Sequence, residues 1–240
     1  MTEKNIPIAS VDPSLLSGST LSRQELSTER VRLLTEAAGS MATSIPEFMG
    51  MTLFGSTARG EARPNSDVDI FVLVNPDNLP LRYERTSLGG TTGTVEFTKW
   101  IRPNEEEISR IRQTTQAHGL DKIGLIVLPF NDAIFEQTIS DLIEVATLWD
   151  SGDHSIGAQV PRNIRALFHV PIHDTELQPY IERTLTTLNN SPHGTIAWRM
   201  IRHQLVSLEL PKMRTDDDFI KGLAHRYIPT TLDEAIQVYS

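Results

Sequence analysis

Apolar residues occur along this chain both in short runs typical of strands and at the spacing typical of helices. Strand-like runs are frequent before residue 150, and helical spacing dominates after it. Before that point, short runs of branched apolar residues predict buried strands at 51–54, 67–74, 94–100 and 122–130. Apolar residues at helical spacing predict helices at 22–43, 105–118 and 133–149. The glycine-containing stretch 86–93 is predicted to be a flexible loop.

Beyond the polar stretch 150–163 the pattern is mainly helical. Helices are predicted at 174–189, 195–210, 216–226 and 231–239. The chain is therefore predicted to have an α+β fold, in which an N-terminal domain with a mixed β-sheet flanked by helices precedes a C-terminal helical domain. We place the first domain at 1–150, with 1–20 as a loose arm, and a helical substrate-binding domain at 151–240.

Composition limits the functions that a chain with this fold can have. The chain has 240 residues, of which 39% are hydrophobic and 22% charged, and a formal net charge of −9. A negative surface disfavours binding to duplex nucleic acid. Because there is no cysteine, disulfides, thiolate metal sites and a cysteine nucleophile are excluded. The apolar runs are too short to cross a bilayer and the first residues lack a signal-peptide core, so the expected location is the cytoplasm.

One stretch, Phe54 to Ile70, combines a Gly-Ser turn with two closely spaced acids. Gly55 has no Cβ, so the backbone there can approach a ligand, and Ser56 offers a hydroxyl at the start of a short helical turn whose free N–H groups favour phosphate. Asp67 and Asp69 lie two residues apart on a predicted strand and therefore project to the same side. Paired carboxylates suit Mg²⁺. A phosphate cradle beside a magnesium site indicates phosphoryl or nucleotidyl transfer.

Either part of this stretch would mean little alone, since Gly-Ser turns are common and acids at a strand edge are usually solvated. Their combination ahead of an apolar strand favours a functional site. The best candidate for a third carboxylate is Glu96, a lone acid in the middle of its predicted strand. If that strand pairs beside 67–74, Glu96 can ligate the metal, accept the proton of an attacking hydroxyl, or do both. Weaker candidates are Asp77, Glu84 and Glu105–Glu107.

At residues 51–74 the sequence resembles the DNA polymerase β-like nucleotidyltransferase superfamily. The segment LFGSTARGEARPNSDVDIFV matches that superfamily's pattern of Gly-Ser, a short spacer with Arg-Gly, and Ser-Asp-x-Asp before a hydrophobic residue. The resemblance implies that Gly55 and Ser56 hold the triphosphate of a nucleotide. It further implies that Ser66 and Arg59 assist them.

The same resemblance assigns roles to the acids. Asp67 and Asp69 would bind two Mg²⁺ ions, and Glu96 would be the third acid. A glutamate in a Val-Glu-Phe-Thr context, with a helical domain after it, is similar to the aminoglycoside adenylyltransferases that modify streptomycin and spectinomycin. The implied enzyme is a magnesium-dependent nucleotidyltransferase. It would move a nucleoside monophosphate, with ATP as the expected donor, to an acceptor hydroxyl and release pyrophosphate.

Four classes of function stay open after the sequence alone. The acceptor hydroxyl can belong to a small molecule, and the negative charge of the chain favours a cationic one such as an aminoglycoside. It can belong to a protein, as in the minimal nucleotidyltransferase antitoxins, although those are usually shorter. It can belong to an RNA end, which the absence of a basic patch disfavours. The fourth class is a catalytically inactive domain that binds a nucleotide.

Overall fold

The computed structural model describes residues 21–76, 82–89, 94–101, 105–152, 160–174, 176–209 and 228–239, and for 82–101 it describes the backbone. The arm predicted at 1–20 and the helix predicted at 216–226 lie outside the described residues, as does the weaker acid candidate Asp77.

The first part of the chain contains both helices and strands. In chain order they are α1 (Arg23–Ser44), β1 (Phe48–Phe54), α2 (Gly55–Ala58), β2 (Val68–Val74), β3 (Arg82–Gly89), β4 (Thr94–Ile101), α3 (Glu105–Ala117), β5 (Ile123–Pro129) and α4 (Asp132–Asp150). The second part contributes α5 (Arg162–Leu167), β6 (Val170–His173), α6 (Gln178–Asn189), α7 (Gly194–Glu209) and α8 (Leu232–Tyr239). The strands and helices predicted within the described residues are confirmed, with ends shifted by a few residues.

Helix α1 begins at a capping box that the local sequence provides. The Ser22 hydroxyl accepts a hydrogen bond from the Glu25 N–H at 3.3 Å, and the Glu25 carboxylate accepts one from the Ser22 N–H at 2.8 Å. The apolar stripe predicted for this helix is buried at Leu33, Leu34, Ala37, Ala38 and Met41. The helix therefore packs one face on the sheet and leaves the other in solvent.

The central sheet has four strands in the order β5-β2-β1-β6. Strand β2 is antiparallel to β1 and parallel to β5, while β6 is antiparallel to β1. Alternate residues of β2 face opposite sides of this sheet: Val68, Ile70 and Val72 join the core formed with α1 and α3, whereas Phe71 and Leu73 join the core formed with α4 and α7. A mixed sheet with helices on both faces confirms the predicted α+β fold.

Two strands differ from the sequence-based prediction. Residues 82–89 form β3, which pairs antiparallel with β4, so the loop predicted at 86–93 is wrong for 86–89. Strand β6 lies in the part of the chain predicted to be helical, and it pairs with β1. Both strands are stabilised by backbone pairing with a partner, which a local pattern of side chains does not reveal.

The two halves of the chain share one core. Buried residues on its two sides include Phe71 and Leu73 from β2 and Trp198 and Ile201 from α7. The domain boundary placed at residue 150 stays a prediction. Within the described residues, no helix combines the length and the apolar character needed to span a bilayer.

Candidate functional site

Asp67 and Asp69 lie where β2 begins, at the end of the sheet where β1 finishes. Asp69 is opposite Phe54, the last residue of β1. Burial raises the pKa of the Asp69 carboxyl, the nearby charge of Asp67 raises it further, and Arg59 acts in the opposite direction. The charge of Asp67 therefore lies near enough to oppose ionisation of Asp69, while the common orientation of the two side chains stays a prediction.

The Asp69 carboxylate lies between two glycines, one directly after β1 and the other on β5. A Cβ added to Gly55, which follows β1, would come within 2.2 Å of Asp69 Oδ2. A Cβ added to Gly124, the partner of Asp69 on β5, would come within 2.3 Å of Asp69 Oδ1. Gly55 also has φ +76°, which favours glycine. A side chain at either position would therefore displace this carboxylate, and Gly124 is a site residue that the sequence analysis missed.

Ser56 follows directly in the turn that continues β1 into α2. Its backbone carbonyl accepts a hydrogen bond from the Glu61 N–H at 2.9 Å, which closes the turn. Its half-buried hydroxyl makes no hydrogen bond within the described part of the chain. The next hydroxyl, Thr57 Oγ1, is buried and has no hydrogen-bond partner among the described residues. The Gly-Ser turn thus places an uncommitted hydroxyl beside the residue that contacts Asp69.

Arg59 is held by two contacts within the protein. Its Nε donates to Glu61 Oε2 at 2.7 Å, and its Nη1 donates to the Leu208 carbonyl near the C-terminal end of α7 at 2.9 Å. The side chain is 12% exposed. A cation at a helix C-terminus is electrostatically favourable. In this arrangement Arg59 joins α2 to α7 and partly offsets the charge of Asp69, while a direct contact with a triphosphate stays a prediction.

Ser66 is fully engaged in closing the loop that leads to Asp67. Its hydroxyl donates to the Arg63 carbonyl at 2.9 Å and accepts from the Arg63 N–H at 2.9 Å and from Arg30 Nη1 at 3.0 Å. One donor and two acceptor positions are all that a serine hydroxyl offers. The role of Ser66 in holding a triphosphate stays a prediction, and these contacts favour a structural role.

Arg30 on α1 positions the same loop, and the sequence analysis did not identify it. Besides Ser66, its guanidinium binds the Arg63 carbonyl, with Nη2 as the donor at 3.0 Å. Its pKa is lowered by burial and raised by the nearby charge of Asp67. One turn earlier on α1, the Ser27 hydroxyl accepts from the Ala62 N–H at 3.1 Å. A charged residue at 30, within the buried stripe of α1, was the signal available in the sequence.

Glu96 lies on β4, which pairs with β3 and not with β2. Its partner across the hairpin is Ser87, whereas the neighbours of β2 are β1 and β5. The pairing that would place Glu96 beside Asp67 and Asp69 is therefore absent from the described sheet, although the backbone of β4 approaches β5 and α4. The assignment of Glu96 as the third acid stays a prediction. Glu84 lies on the same hairpin, opposite Lys99.

The two aspartates form an oxygen-only donor pair with excess negative charge, and such a pair fits Mg²⁺. Among the described side chains, no three histidines, aspartates or glutamates cluster into a complete metal site. Arg59 offsets the charge on Asp69 only in part, since the pKa of Asp69 is raised overall. A divalent cation would relieve the remaining repulsion between the carboxylates.

The Gly-Ser turn and the aspartate pair lie in one continuous segment that begins with β1. Residues 49–117 match the family model of the nucleotidyltransferase domain. The matched segment ends with α3 and so contains Gly55, Asp69 and Glu96, but not Gly124 on β5. The match supports nucleotide transfer as the general activity of this part of the chain. A comparison with curated proteins finds no match.

Proposed function

We propose that this protein is a magnesium-dependent nucleotidyltransferase that moves AMP from ATP to a hydroxyl of a small cationic molecule such as an aminoglycoside. The observation that carries the proposal is the placement of Asp69 beside the Gly-Ser turn, with Asp67 close enough to raise its pKa. The match of residues 49–117 to a nucleotidyltransferase domain supports the general reaction. The net charge of −9 supports a cationic acceptor.

The proposed roles follow from the chemistry of each group. Asp67 and Asp69 would hold Mg²⁺, which when bound neutralises charge on the triphosphate. Ser56, whose hydroxyl makes no hydrogen bond within the described residues, donates to a phosphate oxygen. Glu96 accepts the proton of the acceptor hydroxyl. The acceptor oxygen forms a bond to the α-phosphorus, the bond between that phosphorus and the bridging oxygen breaks, and pyrophosphate leaves with the electron pair.

The first test uses Asp69→Asn, which keeps the size of the side chain and removes its charge. We expect it to abolish pyrophosphate release from ATP and Mg²⁺ while the circular dichroism spectrum stays that of the wild type. Asp132→Asn is the matched control, because the Asp132 side chain is 76% exposed and lies in a surface ion pair with Arg183. Turnover retained by Asp69→Asn would refute the metal assignment.

The acceptor is identified by following the label from ATP labelled in its α-phosphate. The protein and Mg²⁺ are incubated alone, with aminoglycosides, with tRNA or with a cell lysate. Label in a small soluble product supports the proposed acceptor class. Label in a protein band or in RNA would redirect the proposal to those acceptors, and label in no product would indicate an inactive nucleotide-binding domain.

A further inference from the structure

Arg165 on α5 carries a positive charge that no carboxylate balances among the described residues. The residue is half-buried, and its hydrogen bond runs from Nη1 to the neutral Gln204 Oε1 at 3.2 Å. Its Nε is buried without a hydrogen-bond partner within the described part of the chain. Burial lowers the pKa of Arg165, and the neighbouring charge of Arg162 lowers it further. A partly buried cation with a buried, unpartnered N–H and no counter-ion among the described residues is costly, so it requires an explanation.

The position of Arg165 is fixed by the residues on both sides of it. The Thr52 hydroxyl on β1 donates to the Ala166 carbonyl at 2.9 Å, and Asn163 Nδ2 donates to the Pro129 carbonyl at the end of β5 at 2.7 Å. Both hydrogen bonds are buried. They hold α5 against the sheet, with the Arg165 guanidinium 5.5 Å from the centre of the Phe71 ring.

This placement brings Arg165 near the candidate site in two independent ways. Phe71 is two residues beyond Asp69 on the same side of β2, a spacing of about 7 Å along a strand. Gln204, which Arg165 contacts, is four residues before Leu208, which Arg59 contacts, and four residues of helix span about 6 Å. Arg165 and Arg59 therefore approach neighbouring turns of α7, and Arg59 ends the short helix that begins at Gly55.

A purely structural role would be packing of the guanidinium on an aromatic ring. Arg183 shows what that role looks like in this protein: it lies 4.5 Å from the centre of the Phe135 ring and forms ion pairs with Asp132 and Glu136. Stacking at Arg183 thus accompanies full charge compensation. Arg165 stacks without such compensation, and the neighbouring charge is that of a second arginine, Arg162. The Gly-Ser turn, which is suited to phosphate, begins the short helix that is also joined to α7.

We propose that Arg165 binds the β- and γ-phosphates of the nucleotide and so contacts the pyrophosphate that leaves. This inference rests on the proposed function, since it assigns one more residue to the same site. A guanidinium binds phosphate oxygens with charge-assisted hydrogen bonds, and the Nη2 group of Arg165, which makes no hydrogen bond within the described residues, can supply one. If Arg165 makes these contacts, it strengthens the binding of a triphosphate or of pyrophosphate, but not the binding of a monophosphate, which has no β- or γ-phosphate.

The test measures by calorimetry the binding of ATP, AMP and inorganic pyrophosphate, each with Mg²⁺, to the full chain. We expect Arg165→Gln to weaken the binding of ATP and pyrophosphate by about 10-fold to 100-fold, and that of AMP by less than about 2-fold. Arg183→Gln is the matched control, because it also removes a stacked arginine, and all three affinities should stay at the wild-type values. Unchanged pyrophosphate affinity in folded Arg165→Gln would overturn the proposal.

A second measurement keeps the proposal testable if Arg165→Gln does not fold. In the ¹⁵N-labelled wild-type protein, the side-chain Nε–H resonance of Arg165, assigned with Arg165→Lys, should shift on addition of pyrophosphate and not of AMP. If the protein binds pyrophosphate and this resonance does not shift, the assignment of Arg165 to the phosphate site is refuted. If the wild type binds neither ATP nor pyrophosphate, the proposed function itself fails, and that result is distinct from a wild type that binds both without using Arg165.

Discussion

Replacing Gly124 with alanine would place a methyl group in the space that the Asp69 carboxylate occupies. The added Cβ would lie 2.3 Å from Asp69 Oδ1, whereas ordinary contact begins at 3.4 Å. The carboxylate cannot simply turn towards the other neighbouring strand, because Gly55 already approaches Asp69 Oδ2 from that side. Asp69 would therefore have to move outward from the sheet.

The magnitude follows from that displacement. An outward movement of about 1 Å in a group that holds the reacting parts can reduce a rate by about 100-fold. The effect on folding is limited to local overpacking, because the atom displaced is the end of a side chain. We expect Gly124→Ala to lower the free energy of unfolding by about 1 to 3 kcal/mol, the usual cost of overpacking. Gly124→Ala would thus lower the reaction rate strongly while the protein stays folded.

The assay is a double-mutant cycle measured by urea unfolding in the presence of a metal chelator. In the Asp69→Ala background the collision partner is gone, so Gly124→Ala should be neutral or slightly stabilising, which gives a coupling free energy of about 1 to 3 kcal/mol. Gly39→Ala is the control, because a Cβ at Gly39 has no atom within 4 Å. In the Asp69 background, pyrophosphate release should fall by about 100-fold for Gly124→Ala and stay unchanged for Gly39→Ala. A coupling below about 0.5 kcal/mol would refute the reasoning.

Two further predictions concern the serines and the pH dependence. Ser56→Ala should weaken ATP binding by about 10-fold, measured by calorimetry, without loss of stability. Ser66→Ala removes three hydrogen bonds and should lower the free energy of unfolding, measured in urea, by about 1 to 3 kcal/mol with ATP affinity nearly unchanged. The reverse result, in which Ser66→Ala weakens ATP binding and Ser56→Ala lowers stability, would contradict these roles. Burial and Asp67 raise the pKa of Asp69, so its charged form costs stability as pH rises through the folded pKa. Asp69→Asn should therefore be more stable than the wild type at about pH 7 in a metal chelator, with the difference lost below about pH 3.9, the unfolded pKa. A mutant that is no more stable at neutral pH would contradict this.

Local sequence was sufficient for the parts of the fold that are stabilised locally. The apolar stripe from Leu33 to Met41 predicted α1 because its residues recur at helical spacing within a few turns of one helix. The same holds for β2, whose alternating residues face the two cores as predicted, Val68, Ile70 and Val72 on one side and Phe71 and Leu73 on the other. These patterns carry their own geometry, since backbone periodicity fixes the direction of each side chain.

The surroundings of Asp69 depend on which strands become its neighbours, and only the tertiary structure decided that. Gly124 is an ordinary glycine in the sequence and acquires its role because β5 pairs in parallel with β2. The position of Glu96 was predicted from an assumed pairing of strands, and the described sheet pairs β4 with β3 instead. A pattern within one strand states which face a residue occupies, but not which strand lies beside it.

The sequence by itself determined the fold class and most of the helices and strands, and it indicated the Gly-Ser turn and the aspartate pair as the candidate site. Only the tertiary structure showed that Arg30 supports the loop before Asp67, and that Arg165 packs on Phe71, two residues beyond Asp69. The hydrogen bond that fixes α5 joins Thr52 to Ala166, residues 114 positions apart in the chain. Contacts over such separations arise from the packing of whole elements, whose free energy is spread over many residues, so no short segment encodes them.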